Sequence, residues 1–315
     1  MNVLRLSGPP ARKLQRQWWL SQLKQLFLSL RPHQWTKNVV VLAALVFAGR
    51  LFDGRSVLVA GGAFGIFCLL SGAVYLVNDL ADLEQDRKHP VKRERPLAAG
   101  KLSAPFAISA AVVLAVGGLA ASFWLAPGFG VVATIYFVTM MAYSFILKNI
   151  VILDVLIVAF GFVLRAVAGA LAVDVAFSNW LLICTLLGAL FLALAKRRQE
   201  ITLLASGAAE RRRILGEYSP YLLDQMIAVV TASTLVSYAL YTSAPETVAN
   251  FGTDRLIWTL PFVLYGIFRY LYLVHQKEEG GDPTKVLLND RPILVTVALW
   301  AATVVTLIYH RSQSG

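Results

Sequence analysis

Charged residues are scarce in this chain, and so are cysteine and histidine. Asp, Glu, Lys and Arg make up 15% of the 315 residues, and there are 2 cysteines and 4 histidines. Two cysteines exclude a disulfide framework and a cysteine-type metal site. Apolar residues reach 57%, and the mean hydropathy is +0.65. This composition excludes a disordered chain and an ordinary water-soluble domain, a soluble nucleic-acid binder included.

Apolar runs of about twenty residues alternate with short charged segments along most of the chain. About twenty helical residues, rising about 1.5 Å each, cross the roughly 30 Å hydrocarbon core of a bilayer. The sequence therefore predicts an all-α integral membrane protein with nine transmembrane helices. The predicted spans are 35–52, 57–77, 106–126, 129–147, 150–173, 179–195, 222–243, 256–274 and 293–309.

Lys and Arg are distributed unevenly over the loops. If nine spans alternate, 23 of the 29 Lys and Arg residues lie on one side. Because basic residues concentrate in cytoplasmic loops, this places the N-terminus in the cytoplasm and the C-terminus outside. We expect a basic cytoplasmic or interfacial N-terminal segment at 1–34, a single transmembrane catalytic domain at 35–310 and a short outer tail at 311–315. The net charge of +11 is then mainly a topology signal, and no nucleic-acid partner is required.

The N-terminal segment has two interpretations. Apolar residues recur there at helical spacing among four basic residues, which is typical of a helix lying on membrane lipid. The alternative is a basic tail that only orients insertion. The apolar residues are Leu14, Trp18, Leu23, Phe27 and Leu30.

The densest polar cluster directly follows the second span. If that helix continues past Val77, Asn78, Asp82 and Asp86 stand at positions i, i+4 and i+8 on one face, with Asp79 beside them. Oxygen ligands in such a row suit Mg²⁺, which is often completed by substrate phosphates. The row therefore predicts a magnesium site that holds a diphosphate. The alternative is a solvated charged loop, since acids and bases alternate here.

Basic residues follow the acidic row at once. Arg87, Lys92 and Arg95 are candidates to neutralise phosphate oxygens that a metal does not reach, and to stabilise charge on a departing pyrophosphate. Topology alone would also demand positive charge in this loop.

A second polar cluster lies at the end of the sixth span. It comprises Lys196, Arg197, Arg198 and Glu200, of which Lys196 and Glu200 share a helical face. A third lies where the fourth span meets the fifth.

The third cluster contains Tyr143, Lys148 and Asp154, and Arg165 follows Asp154 by about three helical turns. An arginine inside a span is costly unless it faces a partner or a wet cavity, so Arg165 is a site candidate. The alternative for Arg165 is a structural ion pair or hydrogen bond between helices.

These motifs resemble those of the UbiA superfamily of intramembrane prenyltransferases, which implies a nine-helix bundle with a central cavity facing the cytoplasm. The resemblance rests first on Asn78-x-x-x-Asp82-x-x-x-Asp86 and its basic continuation. The superfamily's aromatic prenyltransferases have a second aspartate-rich row after the sixth span. The segment from Lys196 to Glu200 stands there instead.

One branch is more similar, the decaprenyl-phosphate phosphoribosyltransferases. The resemblance runs along nearly the whole chain. Its stretches are Arg31-Pro32-x-Gln34-Trp35-x-Lys37-Asn38, Tyr75 through Gly100, Leu147-Lys148, Arg165-Ala-x-Ala-Gly169, Lys196 to Glu200, and Arg291. It implies that Mg²⁺ binds the diphosphate of 5-phosphoribosyl 1-diphosphate, and that a polyprenyl phosphate is the acceptor.

The resemblance also assigns candidate roles. The expected metal ligands are Asn78, Asp79, Asp82 and Asp86. The expected catalytic residues are Asn78, Asp82, Asp86, Lys196 and Glu200. The expected substrate-binding residues are Lys37, Arg87, Lys92, Arg95, Tyr143, Lys148, Asp154, Arg165, Arg197 and Arg198.

The resulting expectation is transfer of a phosphoribosyl group to polyprenyl phosphate at the inner face of a bacterial plasma membrane, for arabinan cell-wall synthesis. A homo-oligomer is compatible with the sequence. Two alternatives stay open. One is a UbiA-type prenyl transfer from a prenyl diphosphate to an aromatic acceptor, against which the missing second aspartate row counts. The other is a transporter of anionic metabolites, although a transport path would be polar from both membrane faces.

Overall fold

The structure is a computed structural model that describes residues 11–176, 178–205, 213–277 and 283–309. The first ten residues of the N-terminal segment and the expected outer tail 311–315 lie outside this range. The described residues form helices and turns, without a β-strand. This confirms the predicted all-α class.

The described residues contain thirteen α-helices. They are α1 (Ala11–Ser29), α2 (Ala43–Phe47), α3 (Gly54–Ala81), α4 (Leu83–Lys88), α5 (Ala104–Leu125), α6 (Pro127–Phe145), α7 (Leu153–Ala172), α8 (Asn179–Ala205), α9 (Pro220–Ser243), α10 (Pro245–Phe251), α11 (Leu260–Gln276), α12 (Pro283–Asn289) and α13 (Arg291–Tyr309). Short 3₁₀ helices lie between them, at Pro32–Leu42, Lys92–Glu94, Leu147–Asn149, Arg213–Glu217 and Arg255–Thr259.

Eight helical segments within the described residues are long and apolar enough to cross a membrane. They coincide with the second to ninth predicted spans, so the chain is a multi-pass membrane protein. The segments are Gly54–Ala81, Ala104–Leu125, Pro127–Phe145, Leu153–Ala172, Asn179–Thr202, Pro220–Ser243, Arg255–Gln276 and Arg291–Tyr309.

The first predicted span, 35–52, is not one continuous α-helix, and the prediction is wrong in this respect. The chain forms a 3₁₀ helix at Pro32–Leu42 and a short α2 that ends at Phe47. Three consecutive valines at 39–41 disfavour the α-helix because their branched side chains crowd the preceding turn. Tertiary contacts of Asn38 and Val41, both buried, hold this segment in place.

The described chain divides into two compact units. Unit 1 comprises the described residues within Met1–His33 and Leu69–Gly118, and unit 2 comprises those within Gln34–Cys68 and Leu119–Gly315. The core of unit 1 contains Leu76, Leu97 and Leu102, each at most 3% exposed. The burial of these side chains joins the end of α3 to the loop that precedes α5.

Helix α1 is anchored within unit 1 by one glutamine. The Gln22 side-chain amide donates to the carbonyl of Lys101 at 3.0 Å, and its oxygen accepts from the Ser103 backbone amide at 2.9 Å. Other α1 side chains, Trp18, Leu23 and Phe27 among them, are about half exposed. The interfacial position of α1 stays a prediction.

The largest core of unit 2 lies among α7, α8, α9 and α11. It contains Val155 at the start of α7, Leu194 on α8, Leu223 on α9 and Tyr270 on α11, none more than 2% exposed. These contacts bring the first turn of α7 and the second half of α8 together. Both segments carry predicted site residues.

Helix α7 and the 3₁₀ helix Pro32–Leu42 approach each other closely at one glycine. A Cβ atom added at Gly169 would lie 2.0 Å from the carbonyl oxygen of Val41 and 2.8 Å from its carbonyl carbon. Only a residue without a side chain permits backbone contact at this distance. Gly169 therefore fixes the position of the 3₁₀ segment on α7.

We expect Gly169→Ala to destabilise the protein by about 3 kcal/mol, because a backbone carbonyl cannot move aside as a flexible side chain can. The melting temperature of the purified protein should fall by roughly 5–10 °C. Gly188→Ala on α8 is the matched control, since a Cβ there meets nothing within 4 Å. An equal effect of both substitutions would contradict the close packing at Gly169.

Candidate active site

Four predicted site residues lie where α3 passes into α4, and we call Asn78, Asp79, Asp82 and Asp86 the acidic cluster. Helix α3 ends at Ala81, and Asp82 forms a turn before α4. The backbone amide of Asp82 donates to the carbonyl of Asn78 at 2.9 Å, and that of Asp86 donates to Asp82 at 2.8 Å. The helical spacing of the three residues therefore persists across the turn, as the sequence predicts.

Two arginines neutralise the buried acids of this cluster. Asp79 and Asp86 are 2% and 3% exposed. Arg95 lies between them, with Nη1 at 3.0 Å from Asp79 Oδ1 and 2.5 Å from Asp86 Oδ2. Arg31 donates to the same Asp79 oxygen at 2.5 Å and stacks on Tyr75. Buried carboxylates need such partners because their desolvation is costly.

Arg95 has partners that the sequence alone did not predict. It was expected as a phosphate contact, and the structure pairs it with two of the expected metal ligands. Arg31, which the sequence singled out only as part of a motif, also belongs to the cluster, through its pair with Asp79. Its backbone has a φ of 54°, an unusual conformation for a residue other than glycine.

The donor chemistry of the acidic cluster fits a hard divalent cation. The side-chain oxygen of Asn78 is a buried acceptor that has no hydrogen-bond partner within the described part of the chain. Amide and carboxylate oxygens are the ligands that Mg²⁺ prefers. No three Asp, Glu, His or Cys side chains among the described residues converge as a metal centre, and the carboxylates of Asp79 and Asp86 hold guanidinium groups.

The other basic candidates of this region differ in exposure. Arg87 pairs with Glu84 at 3.0 Å, and both side chains are at least half exposed. Lys92 is half-buried at the start of a 3₁₀ turn. Lys37, in unit 2, is half-buried within the 3₁₀ helix Pro32–Leu42.

A second group of site residues forms in unit 2, and we call Asp154, Arg197, Glu200 and Tyr218 the Asp154 network. Asp154 is completely buried. Its Oδ2 accepts from Arg197 Nε at 2.7 Å, and its Oδ1 accepts from the Tyr218 hydroxyl at 2.6 Å. Arg197 also donates through Nη1 to Glu200. Both oxygens of Asp154 and two nitrogens of Arg197 are thus bound inside the protein.

Three further candidates lie beside this network. Lys196 is 3.9 Å from Glu200, and its side chain is 46% exposed, against 7% for Arg197. Tyr143 interacts electrostatically with Arg197. Lys148 is half-buried in the 3₁₀ turn Leu147–Asn149, directly before α7. Lys196 is therefore the exposed cation of the segment, whereas Arg197 is internal.

Arg165 lies apart from the Asp154 network. Its guanidinium donates to Asn38 Oδ1 at 2.8 Å, to the Gly161 carbonyl at 3.0 Å and to the Tyr136 hydroxyl at 2.7 Å. These bonds join α7 to α6 and to the 3₁₀ helix Pro32–Leu42. The arrangement corresponds to the structural alternative considered for this residue, with hydrogen bonds rather than an ion pair.

Arg198 also points to a different partner. It binds Asp224 of α9 at 2.5 Å, and His275 of α11 lies 3.2 Å from the same carboxylate. Asp224, His275 and the role of Tyr218 were not predicted from the sequence. Only Asp224 carries a usable signal, because an acid near the start of an apolar helix suggests a pairing with the basic end of a neighbouring span.

The chain matches the family model described as "UbiA prenyltransferase family" over residues 38–289. Two similar relatives are decaprenyl-phosphate phosphoribosyltransferases. The protein from Corynebacterium glutamicum is 36% identical over 89% of this chain and 86% of its own length. The protein from Mycolicibacterium smegmatis is 34% identical over 90% of this chain and 92% of its own length.

A solved structure shares the fold. It is a UbiA homolog from Archaeoglobus fulgidus bound to DMAPP and Mg²⁺, and it matches with a TM-score of 0.68. The alignment covers 90% of this chain and 99% of that one at 16% sequence identity. At this identity the likeness establishes the helical fold alone.

Proposed function

The chain belongs to the UbiA prenyltransferase family, and on that premise we propose that it transfers a 5-phosphoribosyl group from 5-phosphoribosyl 1-diphosphate to a polyprenyl phosphate of the decaprenyl type. Identities of 34–36% to decaprenyl-phosphate phosphoribosyltransferases, over about nine tenths of the chain, support this proposal. The product is a lipid-linked pentose for arabinan synthesis. The alternatives, aromatic prenyl transfer and transport, have no comparable support.

One structural observation carries the choice of donor. At the end of α8, Arg197 is neutralised by Asp154 and Glu200, while Lys196 remains 46% exposed. The end of α8 therefore exposes the cation of Lys196, where the aromatic prenyltransferases have a second acidic row. A donor with a 5-phosphate in addition to its diphosphate needs such a cation, and a prenyl diphosphate needs it less.

The reaction forms a bond between an oxygen of the lipid phosphate and C1 of the ribose, as the bond from C1 to the diphosphate breaks. The acceptor phosphate is ionised at neutral pH, so no general base is required. The protein must instead orient the two substrates, stabilise charge on the leaving pyrophosphate and exclude water. Lys196 and Lys148 are assigned to phosphate oxygens, and Glu200 to ribose hydroxyls.

The acidic cluster is assigned to the donor's diphosphate together with Mg²⁺. When bound, the cation would neutralise diphosphate oxygens and thereby ease the departure of pyrophosphate. Asn78 and Asp82 offer oxygen ligands, and the unpartnered Asn78 oxygen is the observation that favours them. Arg95 and Arg31 hold Asp79 and Asp86 in place, and they supply positive charge beside the leaving group.

We further propose nine membrane crossings, with the first made by Pro32–Phe47. Eleven 3₁₀ residues rising about 2.0 Å each, followed by five α-helical residues, extend about 30 Å, which matches a bilayer. With nine crossings, the distribution of Lys and Arg supports a cytoplasmic N-terminus and site and an external C-terminus. The membrane is then the bacterial plasma membrane.

The proposal is tested with purified protein in detergent, labelled 5-phosphoribosyl 1-diphosphate, polyprenyl phosphate and Mg²⁺. We expect label to become lipid-extractable, with loss of the signal when a chelator is added. Activity only with a prenyl diphosphate and a phenolic acid would overturn the proposal in favour of aromatic prenyl transfer. Uptake into liposomes without a covalent product would identify a transporter.

A further inference from the structure

A tyrosine in the loop before α9 binds the start of α7 through two hydrogen bonds of its hydroxyl group. The Tyr218 hydroxyl donates to Asp154 Oδ1 at 2.6 Å and accepts from the backbone amide of Ile152 at 2.7 Å. Its side chain is buried against the core of α8 and α9. We propose that Tyr218 is a positioning residue for phosphoribosyl transfer, which orients Glu200 for the ribose through Asp154 and Arg197. This inference rests on the proposed function.

The carboxylate of Asp154 is held through both of its oxygens. Because it is completely buried, its orientation depends on the groups that bind its two oxygens. Tyr218 binds one oxygen and Arg197 Nε binds the other. If the bond from the hydroxyl were lost, the carboxylate could rotate about its own axis, and the guanidinium would lose its fixed partner.

Arg197 transmits this orientation to the surface of the site. Its guanidinium is rigid and planar, so fixing Nε against Asp154 also fixes the direction of Nη1, which donates to Glu200. Glu200 is 26% exposed and also lies 3.9 Å from Lys196. The buried network therefore ends at a carboxylate that a substrate hydroxyl can reach.

The backbone beneath Tyr218 is strained, which indicates that its hydroxyl has a task beyond packing. Ile152 has a φ of 70°, a left-handed conformation that is very rare for a β-branched residue. The conformation turns the Ile152 amide toward the Tyr218 oxygen. Its side chain is 45% exposed, so packing of the isoleucine does not explain the strain.

The protonation state of Tyr218 is stable over the working range of pH. Burial, and then the hydrogen bond to Asp154, raise the pKa of the Tyr218 hydroxyl to about 12. The group therefore keeps its proton near neutral pH and remains a donor. The change in KM for 5-phosphoribosyl 1-diphosphate caused by Tyr218→Phe should therefore be the same from pH 6 to pH 9.

The test compares Tyr218→Phe with Tyr221→Phe. Tyr221 lies three residues away and is 75% exposed, so it controls for the loss of a hydroxyl in the same segment. We expect Tyr218→Phe to raise KM for 5-phosphoribosyl 1-diphosphate about tenfold, with KM for polyprenyl phosphate changed less than twofold. Equal kinetics of the two variants would overturn the positioning role.

A double-mutant cycle with Glu200→Gln separates positioning from general loss of structure. If Tyr218 acts through Arg197 on Glu200, Tyr218→Phe should leave KM unchanged in the Glu200→Gln background. The same tenfold increase in both backgrounds would assign the effect to structure and overturn the proposal.

One further variant guards against poor folding of Tyr218→Phe. Ile152→Gly relieves the left-handed strain, so Ile152→Gly/Tyr218→Phe should regain thermal stability and keep the raised KM. A normal KM in this double variant would overturn the proposal. If the wild-type protein forms no labelled lipid, the proposed function fails, and the assignment of Tyr218 fails with it. If the wild-type protein forms labelled lipid and Tyr218→Phe has the same kinetics as Tyr221→Phe, only the assignment of Tyr218 fails.

Discussion

Asp82→Asn is expected to reduce phosphoribosyl transfer by about 1,000-fold. The substitution keeps the size of the side chain and removes the charge that a magnesium ligand supplies. Loss of several kcal/mol of charge stabilisation in the transition state corresponds to this factor. Asp82 lies in the turn between α3 and α4, and an amide of the same size can occupy its place, so the fold should be retained. The measurement is lipid-extractable label per minute at saturating Mg²⁺.

Glu84→Gln serves as the matched control for Asp82→Asn. Glu84 lies at the start of α4, is 77% exposed and pairs with the exposed Arg87. Exposed ion pairs contribute little, so activity should remain within about twofold of the wild-type value. Comparable losses in both variants would show that the rate depends on the general charge of the loop and not on a metal ligand at Asp82.

Arg197→Leu is expected to destabilise the protein by about 4 kcal/mol, the second large effect. The substitution leaves the carboxylate of Asp154, which is completely buried, without its cation. Breaking a buried pair from one side typically costs 3–5 kcal/mol, since the remaining charge stays desolvated. The free energy of unfolding in detergent, or the yield of folded protein, measures the effect.

The double variant Asp154→Leu/Arg197→Leu tests whether the unpaired charge of Asp154 causes this loss of stability. Removing both charges leaves no unpaired ion in the interior, so about half of the lost stability or more should return, the rest reflecting the Tyr218 hydroxyl that has lost its acceptor. Phosphoribosyl transfer should remain impaired, because Glu200 has lost the guanidinium that fixes it. A double variant as unstable as Arg197→Leu would contradict the explanation by charge pairing.

Local patterns in the sequence predicted much of the fold. Apolar runs located eight membrane-spanning helices, because length and hydropathy are local properties. The spacing of Asn78, Asp82 and Asp86 predicted their common helical row for the same reason. The 3₁₀ helix at the start of the first predicted span was not predicted. The position of this segment is fixed by the close approach of Val41 to Gly169, which lies 128 residues further along the chain.

The partners of the site residues were not predictable in the same way. Arg95 was expected at a phosphate, and it lies between two carboxylates. The bond of Tyr218 to Asp154 spans 64 residues and leaves no periodic signal. Charge patterns show that a cation and an anion are both present, but packing decides which of several arginines faces which acid. The binding roles of the individual residues remain predictions.

The hydrogen bonds of Arg165 bear on the order in which the membrane protein is assembled. Inserting an arginine near the middle of a span costs about 3 kcal/mol when no acceptor is present. Its acceptors Asn38 and Tyr136 precede it in the chain, and translation proceeds from the N-terminus. Both acceptors have therefore left the ribosome before α7 emerges. Asp154 lies on the same helix, and its partners Arg197 and Tyr218 follow it in the chain. The buried contacts of α7 are therefore complete only after α8 and the loop before α9 have been synthesised.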